Sequence, residues 1–217
     1  MGGLAHFGLI YSVGRAIFMS NWGRDAQRDS KTGLLNARAF DLRFAQAFAQ
    51  AKRLRKPLSL LVIDLDGLKT VNDVNGHMVG DAILSAVGEI VRQHAHGRNI
   101  AGRFGGDEFV LALPGVASDE ARLIAEHIRL SVSSARIRAI GSPQTISATI
   151  SVGVAELARA QRTSGDLFHA ADLALLHAKR MGRDQTFMAV HMCPAEPNID
   201  VNAFLHRSSR KRRFDTI

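Results

Sequence analysis

The sequence predicts an α/β fold built on a sheet of mixed strand order, and three observations carry that prediction. "LSLLVIDLD", Leu58–Asp66, is an apolar, β-branched run of strand length. Segments of helical period separate it from the other strand-like runs, which marks crossover connections. The Gly105-Gly106 step joins two short strands as a hairpin, so not every connection is a helix. With 217 residues and 46% hydrophobic content the chain suffices for one sizeable domain plus extensions, and it shows no internal repeat.

In chain order, "LAHFGLIYSVGRAIFM" comes first. It is apolar but interrupted by His6 and Arg15, and falls short of the ~20 apolar residues a membrane span needs. It also lacks the basic leader and small-residue cleavage site of a signal peptide. Phe7, Ile10, Tyr11, Gly14, Ile17 and Phe18 share one helical face. The expectation is an amphipathic helix that pairs with its copy, lies on a membrane surface or belongs to a longer membrane segment.

After "TGLLN", the run Ala37–Lys56 carries Phe40, Phe44 and Phe48 at steps of four, with Asn36 as a cap. This predicts a helix whose aromatic stripe faces the core. Pro57 punctuates the chain, and Leu58–Asp66 follows as a strand buried on both faces. Its acids, Asp64 and Asp66, stand two residues apart and therefore point to one side. "VNDVNGH", Val71–His77, reads as a turn, followed by a helix from about Met78 to His94 and a strand near Ile100–Phe104. The hairpin leads into "EFVLAL" and then a helix over about Asp119–Ser134. A β-rich run from Thr145, "TISATISVGVA", a helix over about Gly165–Met181 and a short strand near Gln185–Ala189 complete the pattern.

The single cysteine, Cys193, excludes an intrachain disulfide and a cysteine-based zinc site. It fits a reducing compartment, so the expected location is cytoplasmic, with membrane association only through the amino-terminal helix. The formal charge of +8 suits nucleic acid, anionic lipid or a phosphate-rich substrate. Part of it sits in "RSSRKRR", Arg207–Arg213, expected to be a solvated, disordered tail. No aromatic–basic interleaving or helix-turn-helix signature accompanies that charge, which sets nucleic-acid binding aside.

If the strand ending at Asp64 neighbours the one opened by Asp107 and Glu108, three carboxylates converge, with Arg103 the one basic residue adjacent in sequence. Left without a partner, such acids repel and their pKa values rise. A hard divalent cation resolves the conflict, because magnesium takes carboxylate oxygens and keeps positions open for water and substrate phosphates. Two such ions can clamp an in-line phosphoryl displacement. The plainer reading is an exposed acidic turn without a ligand. Lys69, with Lys179 and Arg183 at i and i+4 on the last helix, supplies cations suited to a triphosphate, although the latter pair also reads as solvated surface charge. Asn72 and Asp81 form a candidate base reader: a carboxylate accepts from N1 and N2 of guanine while an amide serves the remaining polar edge. As a turn former and a first-turn helix acid, the same two residues have purely structural readings. His77 has no nucleophile–base partner motif and is expected to pack and hydrogen-bond locally.

"RFGGDEF", with "DLDGLKTVNDVNGHMVGD" upstream and "SVGVA" and "ADLALLHAKRMGRD" downstream, resembles the GGDEF diguanylate cyclase domain over about Asp29–Ala189. The resemblance implies an adenylyl-cyclase-like or polymerase-palm-like fold, with a central mixed sheet of about five strands flanked by helices. It implies condensation of two GTP into cyclic di-GMP with release of pyrophosphate. Each protomer of a homodimer then presents one GTP across a two-fold interface, and each ribose 3′-hydroxyl attacks the partner's α-phosphate. Carried over by position, Asp64 and Glu108 are metal carboxylates, the Leu65 carbonyl assists, and Asp107 helps bind metal and activate the 3′-hydroxyl. The implied cofactor is magnesium or manganese, two ions per half-site. Asn72 and Asp81 recognise guanine, Lys69, Lys179 and Arg183 hold phosphates, and Leu68 belongs to the substrate-binding set. Gly105 and Gly106 leave room for a nucleotide against the hairpin.

The chain departs from the family pattern at the opening motif, usually Asp-x-Leu-Thr-Gly-Leu-x-Asn-Arg and here "DSKTGLLNA", with Lys31 and Ala37 at the leucine and arginine positions. "HGRN", His96–Asn99, stands where many members carry Arg-x-x-Asp for product inhibition, so no ordinary inhibitory site is expected. Leu176 and Asp184 replace a tyrosine and an asparagine. The rival class is a catalytically silent domain that binds GTP or a partner protein; the intact Asp64, Asp107 and Glu108 favour the enzyme. The expected organisation is a helix and linker over 1–28, the cyclase domain over 29–190 and the basic tail over 191–217, with any sensor or membrane contact made through the amino-terminal helix.

Overall fold

A computed structural model describes residues 26–138 and 145–189. The expected amino-terminal helix and the basic tail lie outside the described residues. Strand β1 (Leu35–Asn36) leads into helix α1 (Ala37–Leu54), which Asn36 caps by accepting from the Ala39 amide. Strand β2 (Leu58–Leu65) is buried along its whole length. It is followed by α2 (Leu68–Asn75), α3 (His77–Gln93), β3 (Ile100–Arg103), β4 (Glu108–Pro114) and α4 (Ser118–Ser134). The short pair β5 (Ile137–Arg138) and β6 (Thr145–Ile146) forms a separate two-stranded sheet. Strand β7 (Ile150–Glu156), helix α5 (Ser164–Arg180) and strand β8 (Thr186–Met188) close the described chain.

The main sheet has six strands in the order β1-β3-β4-β2-β7-β8. β2 lies at its centre, antiparallel to both β4 and β7, while β1 runs parallel to β3 and β7 to β8, so the order is mixed as expected. The two-residue period of β2 sorts the core into two layers. Leu61, Ile63 and Leu65 face Val79, Ile83 and Val87 of α3 and Ala125 and Ile128 of α4. Leu58, Leu60 and Val62 face the Phe40, Phe44 and Phe48 stripe of α1 and Leu167, Ala171 and Leu175 of α5. The phenylalanine stripe is therefore core. At Gly153 a Cβ would stand 2.1 Å from the Ala171 carbonyl, so glycine lets α5 lie directly on β7.

Four expectations change. Val71–His77 is mostly helical, because α2 runs between Gly67 and Gly76, both at positive φ, and buries Leu68 in the core. Tertiary burial here outweighs a turn-rich composition. The β-rich run from Thr145 is broken, since β6 pairs with β5 and only the stretch from Ile150 joins the main sheet. The last helix stops at Arg180, with Gly182 at φ +120° beyond it, so Arg183 lies in a loop at φ 65° and the i, i+4 pairing with Lys179 does not apply. His77 is exposed at the start of α3 instead of packing. No helix among the described residues is long and apolar enough to cross a membrane.

Candidate active site

The two-residue period that sorts the core also aims the acids. Asp64 shares the α1/α5 face with Leu60 and Val62, and its antiparallel register partner is Glu108, on the face of Val110 and Ala112. Two carboxylates thus stand opposite each other at one end of the sheet, and Asp107 precedes Glu108 at the hairpin. The Leu65 amide donates to the Asp107 carbonyl at 3.0 Å, which ties the end of β2 to the hairpin. Lys179 reaches down from α5 and pairs with Asp64 at 2.8 Å. Burial above all pushes the Asp64 carboxyl up to about 6; Lys179 opposes that shift, and the charges of Asp107 and Glu108 add to it. Burial likewise raises Asp172 of α5, whose surroundings include His169, Lys179 and Asp64.

Asp66 lies just past β2 and keeps to the same side as Asp64. It accepts from Ser151 Oγ at 2.7 Å, Thr149 Oγ1 at 3.0 Å and the Asp184 amide at 3.1 Å, so it fastens the loop after α5 to the sheet. Asp184, the unusual residue of that loop, pairs with Arg129 of α4 at 2.8 Å. Gly105 has a cause within the chain itself: a Cβ there would meet Glu108 Oε2 at 2.8 Å, whereas one at Gly106 would meet nothing within 4 Å. The first glycine makes room for the Glu108 carboxylate, and the second leaves an open face at the hairpin tip.

Asn72 on α2 packs its side-chain oxygen against Gly80 of α3, the residue before Asp81. Gly80 permits this, because a Cβ there would stand 1.9 Å from Asn72 Oδ1. That oxygen is buried and has no hydrogen-bond partner, an acceptor awaiting a donor. Lys69 and Arg183 are exposed, while Leu68 is buried and offers the site only its backbone. The start of α2 has no side-chain cap at Gly67, and the first backbone amides of a helix suit phosphate. A cavity of about 160 Å³ lined by Leu65, Leu68, Val71 and Ile83 is smaller than the roughly 300–1,000 Å³ of a pocket that encloses a drug-sized ligand.

Among the described residues no three His, Cys, Asp or Glu side chains already close on one point as a metal cage. The donor set nonetheless fits a divalent cation: opposed carboxylates on neighbouring strands, one of them raised by burial and like charge, are the groups a cation stabilises.

Two ion pairs beside the candidate site escaped sequence reasoning. Asp29 pairs with Arg103 at 3.1 Å and accepts from the Thr32 amide and hydroxyl at 2.9 and 2.8 Å, pinning the opening loop to the hairpin. Burial would raise the Asp29 carboxyl, but Thr32 and Arg103 outweigh it and hold it below the usual range. Lys31 of the same loop pairs with Asp81. The departure of Lys31 from the family leucine was the available signal. His96 and Asn99, at the inhibitory-motif position, serve the end of α3: His96 Nδ1 lies 3.1 Å from the Gln93 carbonyl, and the Asn99 amide donates to the His94 carbonyl at 2.8 Å.

The family model described as "Diguanylate cyclase, GGDEF domain" matches residues 26–185. The probable diguanylate cyclase DgcC of Escherichia coli (strain K12) is 35% identical over 162 residues, covering 75% of this chain and 43% of the relative. Diguanylate cyclase DgcM of the same organism is 37% identical over 164 residues, covering 76% and 38%. The chain thus spans less than half the length of these curated relatives. The coiled coil and GGDEF domain of DgcB from Caulobacter crescentus, solved in complex with c-di-GMP, is similar at TM-score 0.79 and 30% identity, covering 85% of this chain and 96% of that one. The active GGEEF domain of a diguanylate cyclase from Vibrio cholerae is similar at 0.68 and 32%, covering 73% and 99%.

Proposed function

The chain belongs to the GGDEF diguanylate cyclase family, and from that premise we propose that it condenses two GTP into cyclic di-GMP and two pyrophosphates as a homodimer. The observation that carries this reading is the opposition of Asp64 and Glu108 on one sheet face, with the Asp64 carboxyl raised to about 6. Asp64, Asp107, Glu108 and the Leu65 carbonyl would hold magnesium or manganese, two ions per half-site. The metal supplies charge neutralisation on the triphosphate and a more acidic ribose hydroxyl.

The chain's own residues do the rest by positioning and electrostatics. Asp81 and Asn72 take the guanine donors, and the unpartnered Asn72 Oδ1 supports that role. Lys69, Arg183 and the first amides of α2 hold phosphate oxygens. Lys179 is about one-third exposed and turns to phosphate once Asp64 has another cation. The open face at Gly106 lets the nucleotide lie along the hairpin. The 3′-oxygen of one GTP then bonds to the partner's α-phosphorus while the α–β P–O bond breaks. Pyrophosphate leaves with the electron pair, and Asp107 receives or relays the hydroxyl proton. A second, symmetry-related transfer closes the ring.

Because each half-site presents one GTP, turnover per chain depends on dimerisation. We assign the cyclase domain to 29–190, the dimerising or membrane-proximal segment to 1–28 and a basic extension to 191–217. Incubating the chain with GTP and magnesium over a range of chain concentrations tests this reading. Cyclic di-GMP per chain that rises with concentration and levels off where the dimer saturates is the expected result. GTP binding without product at dimeric concentrations would instead mark a silent nucleotide-binding module.

A further inference from the structure

We propose that Lys31 is a third base-reading residue, donating to the O6 atom of the guanine held by Asp81 and Asn72. The inference rests on the guanine-reading role given to those two residues under the proposed function. Guanine presents an acceptor and two donors in a row, O6, N1–H and the N2 amino group. A carboxylate can take N1–H and one N2 hydrogen, and Asn72 Oδ1, an unpartnered acceptor packed against Gly80, the residue before Asp81, is a candidate for the other. Asp81 and Asn72 Oδ1 are acceptors only, so O6 calls for a donor, and a charged one makes a stronger hydrogen bond than an amide or water. Lys31 supplies the missing group. Its Nζ contacts Asp81 Oδ1, so when that oxygen accepts from N1–H the ammonium flanks the neighbouring O6.

The local fold holds Lys31 in place. Thr32, the next residue, is buried against α3, where a Cβ at Gly88 would stand 2.6 Å from the Thr32 Cβ. Asp29, two residues before, is tied to Arg103. The loop is therefore pinned on both sides of Lys31, with Asp81 on the same helix as Gly88 and two turns before it. Lys31 and Asp81 are each 48% exposed, so a base can approach the pair without unfolding anything. The same row rejects adenine, whose N6 amino group would face the ammonium and whose N1 lone pair would face the carboxylate.

The test uses the 217-residue chain and the α,β-methylene analogue of GTP, in which carbon replaces the oxygen of the P–O bond that must break. Its 6-thio counterpart offers a much weaker acceptor at position 6. Lys31→Met should weaken the GTP analogue about tenfold, about 1.4 kcal/mol, and shift the 6-thio analogue less than about threefold. Unchanged or tighter binding of the GTP analogue to Lys31→Met would overturn the proposal, showing that the ion pair only competes with the base for Asp81. Asp81→Ala separates the two levels. Loss of binding in Asp81→Ala together with no effect in Lys31→Met defeats Lys31 alone, whereas full binding in Asp81→Ala defeats the guanine-reading assignment and the proposal with it. Equal losses for both analogues in Lys31→Met would also overturn it, since a merely structural lysine does not distinguish oxygen from sulfur.

Discussion

Replacing Asp64 by Asn should stabilise the protein above neutral pH while abolishing turnover. The Asp64 carboxyl is raised from 3.8 to about 6, chiefly by burial, so the native chain holds a proton there that the unfolded chain has released. Between about pH 4 and pH 6 the native state therefore binds more protons, and stability falls as pH rises. Two pKa units correspond to about 3 kcal/mol. Asparagine has nearly the same shape and no such slope. The variant-minus-parent difference in unfolding free energy should then change by about 2 kcal/mol in the variant's favour from pH 4 to pH 7, the rest of the effect lying below pH 4. Lys179, left without its partner, is about one-third exposed and can turn to water at little cost. Urea unfolding is the suitable assay, because guanidinium would screen the charges at issue. Magnesium should narrow the gap by stabilising the parent alone. A difference independent of pH would refute the argument that Asp64 is a buried carboxylate kept at a cost for cation binding.

Four further outcomes follow from the geometry. Gly105→Ala should lower turnover about 100-fold with less than about 1 kcal/mol of destabilisation, because its methyl pushes only the mobile end of Glu108. Gly106→Ala, which meets no protein atom, should leave urea stability unchanged yet weaken GTP; full GTP affinity would mean that no nucleotide lies along the hairpin. Arg103→Ala should destabilise the fold by about 1 kcal/mol by removing one partner of the half-buried Asp29 carboxylate, and unchanged stability in urea unfolding would show that the loop is held by Thr32 alone. Cyclic di-GMP should inhibit weakly, since His96 and Asn99 serve the end of α3; calorimetry that finds a tight product complex lost in Asn99→Ala would contradict this.

Helix and strand positions were legible wherever burial imposed a clean period. The Phe40, Phe44 and Phe48 stripe and the apolar Leu58–Leu65 run each fix an element and the face it buries. α2 was hidden because its Asn and Asp residues favour turns, and what makes it helical is Leu68 entering a core assembled from distant segments. Arg183 was misplaced for a related reason, as only the positive φ of Gly182 reveals that the helix has ended. At the site, the opposition of Asp64 and Glu108 could be anticipated from strand ends and hairpin tip. The ion pairs of Asp29 with Arg103 and of Lys31 with Asp81 join residues 74 and 50 positions apart, and no local pattern encodes them.

The central claim is that Asp64, Asp107 and Glu108 make this chain a metal-dependent cyclase. Its most direct test is incubation of the purified chain and its Glu108→Gln variant with GTP and magnesium at dimeric concentration, with nucleotides resolved by chromatography. The account predicts cyclic di-GMP and pyrophosphate from the parent and none from a variant whose urea unfolding is intact. Equal product from both would contradict the metal assignment, and none from the parent would contradict the enzyme.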